Sequence, residues 1–556
     1  MSKSIQFRAL ELHGNKMWQF SEIKKALEFM VQYHMTDLVL HQNDIIQKIV
    51  FPRSWFDENI LWQDSPVRRG INEIYNNRIY FSTLLKMAQK RNISVWLEVK
   101  ELECPDEVIE MYPGLIKNGI LCPSEPVWLD FIMDKTRELV EDFPEIKGII
   151  VSPGSPEGRT SMAQNKCMCP ICQKTNLEDW YYNLIMSMFY PLHEAGRSLM
   201  VREFAYKPIH RDSLVAAIER TPAEVGICIK NTPHDFFPTF PHNSAIKDFN
   251  DRELWVEYDV YGQFYGWGLV PCVVLEDLRE RIEFGIENNV SGYIFRTQWE
   301  RVNDLSCFDT FNLINLIGAA KFTYDKETSE QDICLSWLKE KNYLTNEELT
   351  PSELTSITNW LLKTWQVIRK TLFIRDHVLA YSSMFPKSVD NAWWIIKTKY
   401  SLIRWLPEKE EDLKMNKENI NAIWKEKDEA LDTLTELEDQ LKNQEIVPLE
   451  KLRKELLDIM PFYRRYVTGF HLIAKAIVLG KIISGNQKDL QQEYLLDIKN
   501  TLEKLEKYLG VLHDWERNSE LPHQYYLLMN WRYIDQLITD LKRNFHAFTN
   551  SETDNG

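Results

Sequence analysis

Read for the period of its apolar positions, the chain divides near residue 322. Ahead of that point, short runs of strand character recur. They are Gln6–Leu12 (QFRALEL), Asp37–His41 (DLVLH), Ser94–Val99 (SVWLEV), Gly148–Ser152 (GIIVS), Leu199–Ala205 (LMVREFA), Val225–Lys230 (VGICIK), Leu254–Val260 (LWVEYDV) and Gly292–Arg296 (GYIFR). Between most of them the apolar residues repeat at helical spacing. In Ser21–His34, for example, Ile23, Leu27, Met30 and Val31 share one face, and Ser21 is placed to cap the first turn. Eight runs mostly alternating with helices over ~300 residues predict a (β/α)8 barrel spanning residues 1–322; a doubly wound open sheet is the competing arrangement. The segment Asn231–Glu253, rich in Pro and Phe and without helical period, is expected as an ordered loop at the barrel mouth.

From residue 323 the strand-like runs stop. Thr350–Phe373 puts Leu354, Ile357, Leu361, Trp365 and Ile368 on one stripe, and Glu408–Gln444 spaces Ile420, Ile423, Leu431, Leu434, Leu437 and Leu441 helically amid dense charge. An all-α C-terminal domain over residues 323–550 follows. Heptads are not sustained, so the charged helix is expected to pack within its own domain, with a homodimer through that domain left open. The apolar stretch Gly469–Gly480 is shorter than the ~20 residues that cross a bilayer. The opening MSKSIQFRALELHG lacks the apolar core of a secretory signal.

Composition narrows the functional classes. Of 556 residues, 44% are hydrophobic and 27% charged, which excludes a disordered or fibrous chain. Asp plus Glu exceed Lys plus Arg by 82 − 66, a net charge of −16, which argues against nucleic acid or an anionic membrane as partner. Nine cysteines, an odd number, argue against a disulfide framework. A soluble, reduced, cytoplasmic protein is the expectation. No Walker loop, dinucleotide fingerprint, nucleophile elbow or H-E-x-x-H motif is present, and no organic cofactor is implied.

The predicted strands end in ionisable residues: Glu11 and His13, His41 and Asn43, Glu98 and Lys100, Arg202 and Glu203, Lys230, Glu257 and Asp259, and Arg296. In a barrel these ends form one rim, so a polar pocket is expected there, with His41 and Glu98 among the substrate contacts. Three acids stand out. Glu157 lies in VSPGSPEGR after the fourth run, Asp235 in IKNTPHDFFP after the sixth, and Glu257 in the seventh. Carboxylates facing one another across a sugar can protonate the leaving oxygen and activate water. Trp255, Tyr258, Tyr261, Phe264, Tyr265, Trp267 and Trp299 form an aromatic set near the rim, some suited to stacking on a pyranose and about half expected to pack the turn that Gly262, Gly266 and Gly268 imply.

The segment IKNTPHDFFPTFPHNSAIKDFNDRELWVEYDVYGQFYGWGLVPCVVLEDL (Ile229–Leu278) resembles part of glycoside hydrolase family 67, the xylan α-glucuronidases. In that family a Lys-Asn-x-Pro-x-Asp-Phe run is followed by Glu-Tyr and a Leu-Val-Pro turn. The resemblance implies that Asp235 and Glu257 activate water, and that Glu157 is the general acid. SPEGR stands where the family has Ser-Glu-Gly, so Pro156 is an insertion. Arg202 in LMVREFAY and Lys230 match the family's uronate-binding positions, where charge-assisted hydrogen bonds hold a carboxylate. What the resemblance implies is removal of terminal α-linked (4-O-methyl)glucuronic acid from an oligosaccharide with inversion, the acid and base standing roughly 6.5–9.5 Å apart. The family's α/β domain ahead of the barrel has no counterpart in the strand pattern. A catalytically silent carbohydrate-binding barrel and an exo-glycosidase for another sugar are the alternatives.

A separate cluster, CMCPIC, sets Cys167, Cys169 and Cys172 at C-x-C-x-x-C spacing, able to converge on one structural zinc. A fourth ligand is left open among Cys122, a histidine and water. Three reduced thiols in a tight loop are the metal-free reading.

Overall fold

The computed structural model describes residues 5–50, 52–55, 69–100, 102–205, 207–249, 251–302, 304–344, 349–443, 447–485 and 487–553. Eight parallel strands close into a barrel: β1 Phe7–His13, β2 Asp37–His41, β3 Ser94–Lys100, β4 Gly148–Ser152, β5 Ser198–Glu203, β6 Gly226–Lys230, β7 Leu254–Asp259 and β8 Gly292–Arg296. Each strand pairs with its neighbours in sequence, and β1 closes the circle on β8 through registers such as Glu11 opposite Arg296. Every predicted run thus became a barrel strand, and the open sheet is excluded.

Because successive strand side chains point to opposite faces, the barrel interior is built in layers. One layer takes an apolar residue from every strand: Ala9, Val39, Trp96, Ile150, Met200, Cys228, Trp255 and Ile294. Trp255 therefore fills the barrel core and takes no part in a sugar platform. Two residues further along each strand the next inward layer is wholly polar: Glu11, His41, Glu98, Ser152, Arg202, Lys230, Glu257 and Arg296. All eight are buried.

The outer helices include Phe20–Gln32, Val127–Asp142, Leu177–Glu194, Pro208–Glu219, Leu275–Glu287 and Leu313–Tyr324. The first differs in detail from expectation. Its N-cap is Gln19 with no side-chain bond, so Ser21 lies inside the helix and caps nothing. Val31 turns to solvent at 51% exposure, leaving Ile23, Leu27 and Met30 to face the core. After β6 only a single 3-10 turn, Ser244–Lys247, interrupts an irregular loop, in keeping with the absence of helical period there.

Beyond the barrel, helices Pro351–Leu372, Lys417–Lys442, Glu450–Ile483, Leu495–Asn518 and Trp531–Thr553 pack in succession. Pro351–Leu372 begins in a reciprocal capping box between Thr350 and Glu353. The charged stretch is not one helix from Glu408: a 3-10 segment, Pro407–Leu413, precedes a helix capped by Asn416. The apolar run Gly469–Gly480 lies inside the 34-residue helix Glu450–Ile483. That helix is long and apolar enough to cross a membrane, yet 78% of its apolar window is buried within the protein.

The loop after β7 joins the two parts. Residues 260–275 are buried throughout, and Tyr261, Phe264, Tyr265 and Trp267 pack the turn. Gly262 (φ 87°) and Gly268 (φ 65°) occupy the left-handed region; a Cβ on Gly262 would lie 2.4 Å from Asn312 Nδ2. Gln263 Nε2 donates to Ser382 Oγ (3.0 Å), Ser383 Oγ donates to the Gln263 carbonyl (2.9 Å), and Trp267 Nε1 donates to the Ser382 carbonyl (2.9 Å). The segment around 381–400 is thereby fixed over the C-terminal mouth of the barrel.

Candidate active site

The polar layer is a chain of ion pairs. Arg202 grips Glu257 with two N–H groups, one of them 2.6 Å from Oε2, and its Nε lies 3.3 Å from Glu98 Oε1. His41 Nδ1 lies 2.9 Å from Glu11 Oε1 and 3.3 Å from Glu98 Oε1, while Lys100 Nζ is 3.2 Å from His41 Nε2. Beyond these ion-pair contacts, neither oxygen of Glu98 has an aligned hydrogen bond among the described residues.

Burial and charge sort these acids into two states. Burial, reinforced by the Glu257 charge, pushes Glu11 up to about 7. Burial carries Glu98 to about 8 despite Arg202. Burial would also raise Glu257, but the Arg202 guanidinium outweighs it and holds the carboxyl at about 2. The same layer thus contains a carboxylate locked ionised (Glu257), a carboxyl held mostly neutral near pH 7 (Glu98) and one that titrates there (Glu11).

Above this layer, three acids face the opening. Glu157, on the loop after β4, is 42% exposed at its side chain and stands 3.3 Å from Lys100 Nζ. Ser155 Oγ is 3.2 Å from its Oε2, and Asn43 Nδ2 donates to its carbonyl at 3.1 Å. Burial opposes ionisation of Glu157, yet Lys100, with Arg202 and Lys230 behind it, brings the carboxyl to about 2. Asp235 accepts from Lys230 Nζ at 2.7 Å, and that pairing outweighs burial to lower its pKa. Its backbone adopts φ 57°, which Asp tolerates better than most residues, and Thr232 Oγ1 donates to its carbonyl at 2.6 Å, holding the turn. The third is Glu300, 46% exposed, 3.2 Å from His13 Nε2 and 3.1 Å from Arg296 Nη2.

The helical region supplies the opposite wall. The Tyr381 phenol interacts electrostatically with Asp235, Glu300 and Glu157 alike, and Lys399 with Asp235. Tyr381 stacks beneath Lys399 Nζ at 4.1 Å and Arg301 at 5.5 Å. Beside it opens a cavity of about 570 Å³ lined by Trp299, Tyr381 and Trp394, whose charged lining residues are Arg301, Lys387 and Lys399.

The structure thus gathers Glu157, Asp235, Glu257, Arg202, Lys230, His41 and Glu98 at one end of the barrel. It corrects how several of them stand. Arg202 is already committed to Glu257 and Glu98, and Lys230 to Asp235, with its Nζ over the Phe204 (3.6 Å) and Phe236 (4.3 Å) rings. Neither is an open grip for a ligand carboxylate. Glu257 is 1% exposed under that clamp, and His41 and Glu98 are sealed at 2% and 0%, so none of the three faces the opening. Tyr258 leaves the site altogether. It follows Glu257 in the strand, so it points outward, where its hydroxyl donates to Asp277. Trp299 packs on Trp267 (centroids 5.4 Å apart) and lines the cavity. Glu157 is ionised in the free site, whereas the general-acid role calls for a raised pKa.

Glu300, Arg301, Tyr381 and Lys399 escaped the sequence reading. Glu300 and Arg301 follow β8 on the same rim as the other strand ends and were accessible to that reasoning. Tyr381 and Lys399 carry no such signal, since only the docking of the helical region brings them to the mouth.

Among the described residues, two groups of side chains have the donor types for a metal. Glu11, His13 and His41 bring ligand atoms within 4.8 Å of one another. Here Glu11 Oε1 already lies within hydrogen-bond distance of His13 Nδ1 (2.8 Å) and His41 Nδ1 (2.9 Å), and Lys100 Nζ lies 3.2 Å from His41 Nε2, so these groups already have partners. The other group is the cysteine set near Cys122.

No family model matches the chain, and no curated protein matches it. Solved structures do. A GH138 enzyme targeting pectin rhamnogalacturonan II superposes with a TM-score of 0.64 at 12% identity, covering 99% of this chain and 68% of that one. The likeness is one of fold. A mutant O-GlcNAc hydrolase of Thermobaculum terrenum (TM-score 0.45, 12% identity, 99% and 97% covered) also aligns along most of this chain. So does a GH115 4-O-methyl-α-glucuronidase with specificity for decorated arabinogalactans (TM-score 0.44, 9% identity, 96% and 61% covered). The resemblance to family 67 remains one of short motifs.

Proposed function

We propose that this chain is a glycoside hydrolase acting on acidic oligosaccharides, removing a terminal hexuronic acid of the (4-O-methyl)glucuronic type. The observation that supports the reading most is the cavity whose charged lining, among the described residues, is cationic, opening beside three mouth carboxylates. Arg301, Lys387 and Lys399 take the sugar carboxylate in place of the committed Arg202 and Lys230, and Trp299, Tyr381 and Trp394 offer ring faces to the pyranose.

In this reading Asp235, kept ionised by Lys230, accepts a proton from a water whose oxygen attacks the anomeric carbon. Glu157 delivers a proton to the leaving oxygen. Glu157 becomes a donor by taking up a proton from solvent when a substrate oxygen draws Lys100 Nζ away, because the nearby Glu300 charge then favours the neutral carboxyl. Glu257 does not touch water. It anchors the cation cluster that sets Asp235.

The test is incubation with aldouronic acids and with aryl glycosides of uronic and neutral sugars. Release of free uronic acid, abolished in Asp235→Asn, is expected. Lys399→Met should raise KM for the uronate by roughly 10- to 150-fold, the worth of one charge-assisted hydrogen bond of about 1.5–3 kcal/mol, and leave neutral glycosides unaffected. Turnover of neutral sugars alone would remove the uronate from the reading. Tight binding of aldouronic acid without turnover would establish the silent carbohydrate-binding barrel, which the ionised state of Glu157 favours.

A further inference from the structure

Four of the nine cysteines stand apart from the rest. Cys104, Cys272, Cys307 and Cys334 belong to the main hydrophobic core and Cys228 to the inner barrel layer. Cys122, Cys167, Cys169 and Cys172 instead form an island of their own. Cys122 follows the small hairpin Ile116–Lys117 and Ile120–Leu121 beyond β3, and the other three lie in the connection beyond β4, where Cys169 caps the short helix Pro170–Lys174 that carries Cys172. On that loop Met168 is 71% exposed and Ile171 40%, whereas Cys167 and Cys169 are buried.

All four Sγ atoms lie within 4.8 Å of one another; Cys122 Sγ is 3.6 Å from that of Cys169 and 3.3 Å from that of Cys172. A tetrahedron of sulfurs with Zn–S bonds of ~2.3 Å has edges of ~3.8 Å, while a bonded sulfur pair is ~2.05 Å apart. The spacings are those of thiols around a common centre. Donors that temper thiolate charge are also in place. The Cys172 N–H points at Cys169 Sγ (3.4 Å), and Ser124 Oγ, which accepts from the Cys172 thiol at 3.3 Å, has a hydroxyl proton to turn toward the sulfur once that thiol is deprotonated. The chain is pinned around them. Trp128 Nε1 donates to the Cys122 carbonyl (2.8 Å), Trp180 Nε1 to the Pro123 carbonyl (3.1 Å), and Asn165 Oδ1 accepts from the Cys167 N–H (2.8 Å).

We propose that Cys122, Cys167, Cys169 and Cys172 bind one Zn²⁺ in a closed, tetrahedral, structural site. Each thiol gives its proton to solvent on binding, and no position is left for substrate or water. The site clips the loop after β3 to the loop after β4, the one that carries Glu157. Its sequence signal was half visible: the C-x-C-x-x-C spacing was legible, but Cys122 lies 45 residues before Cys167 and was one of several possible fourth ligands. The inference stands independently of the glycosidase reading.

The test uses the full chain, produced with zinc in the medium and purified without chelator. Elemental analysis should give about one zinc per chain. Cobalt-substituted protein should show the intense thiolate-to-metal bands of a tetrahedral sulfur site. Cys122→Ser and Cys169→Ser should lose the metal, and Cys334→Ala should keep it. Should the serine variants fail to fold, a mercurial titration of the unaltered protein gives the same answer, releasing one zinc as four thiols react. Chelation should speed amide exchange across residues 153–175. Less than about a tenth of an equivalent of metal after zinc incubation overturns the site, as does peptide mapping that finds Cys122 in a disulfide.

Discussion

Replacing Arg202 by Met keeps its bulk and removes its charge from the middle of the polar layer. Glu257 would then be a carboxylate with 1% exposure whose bidentate partner is gone, next to Glu98, which has no aligned hydrogen bond of its own among the described residues. In the unaltered protein the Glu257 pKa falls from 4.5 to about 2; at about 1.4 kcal/mol per tenfold in proton affinity, that is about 3 to 4 kcal/mol of stability. A folded-state pKa below the unfolded one contributes fully above pH 4.5 and is lost as the pH falls toward 2. In Arg202→Met the sign reverses. Burial now raises Glu257, so the penalty is present near neutral pH and is relieved as acid protonates the group. Loss of one partner of a buried pair costs about 3–5 kcal/mol, so denaturant unfolding near pH 7 should show a loss of that order, shrinking markedly near pH 5. Arg202→Lys, which restores charge without the two-pronged grip, should recover part of it. A loss below about 1 kcal/mol, or one equal at both pH values, would refute the claim that Arg202 holds Glu257 ionised.

Two further outcomes follow from the same charges. Lys100→Met should let the Glu157 carboxyl rise from about 2, moving the alkaline limb of the kcat/KM profile upward by at least about one pH unit; an unmoved limb would separate Glu157 from the proton step. Glu98→Gln should match the unaltered protein below pH 4.5 and exceed it increasingly up to about pH 8. The pKa of Glu98 is raised to about 8, so its contribution is lost as pH rises through that value, at most about 4 to 5 kcal/mol. Parallel stability–pH curves for the two proteins would show that Glu98 titrates alike in the folded and unfolded states and refute the raised pKa.

Much of this architecture is written in local pattern. Strands buried on both faces must be short apolar runs, and all eight were legible, from QFRALEL to GYIFR, because that constraint needs no knowledge of the partner strand. The ionisable rim was legible for the same reason: strand ends of a parallel barrel share one face. Parity was legible too, and neglected. Glu257 and Tyr258 are adjacent in one strand, so only one of them can face inward.

What tertiary structure alone decided is pairing. Arg202 and Lys230 read as open cations until the fold set Glu257 and Asp235 against them. Coulombic interaction depends on distance through space and on the water excluded between charges, neither of which has a counterpart in spacing along the chain. For the same reason Tyr381 and Lys399, carried on a separate helical region, reach the barrel mouth unannounced, and Cys122 joins three thiols on a different loop. The sequence alone determined which segments form the barrel and that its rim is charged. The assembled fold determined which of those charges remain available to a ligand.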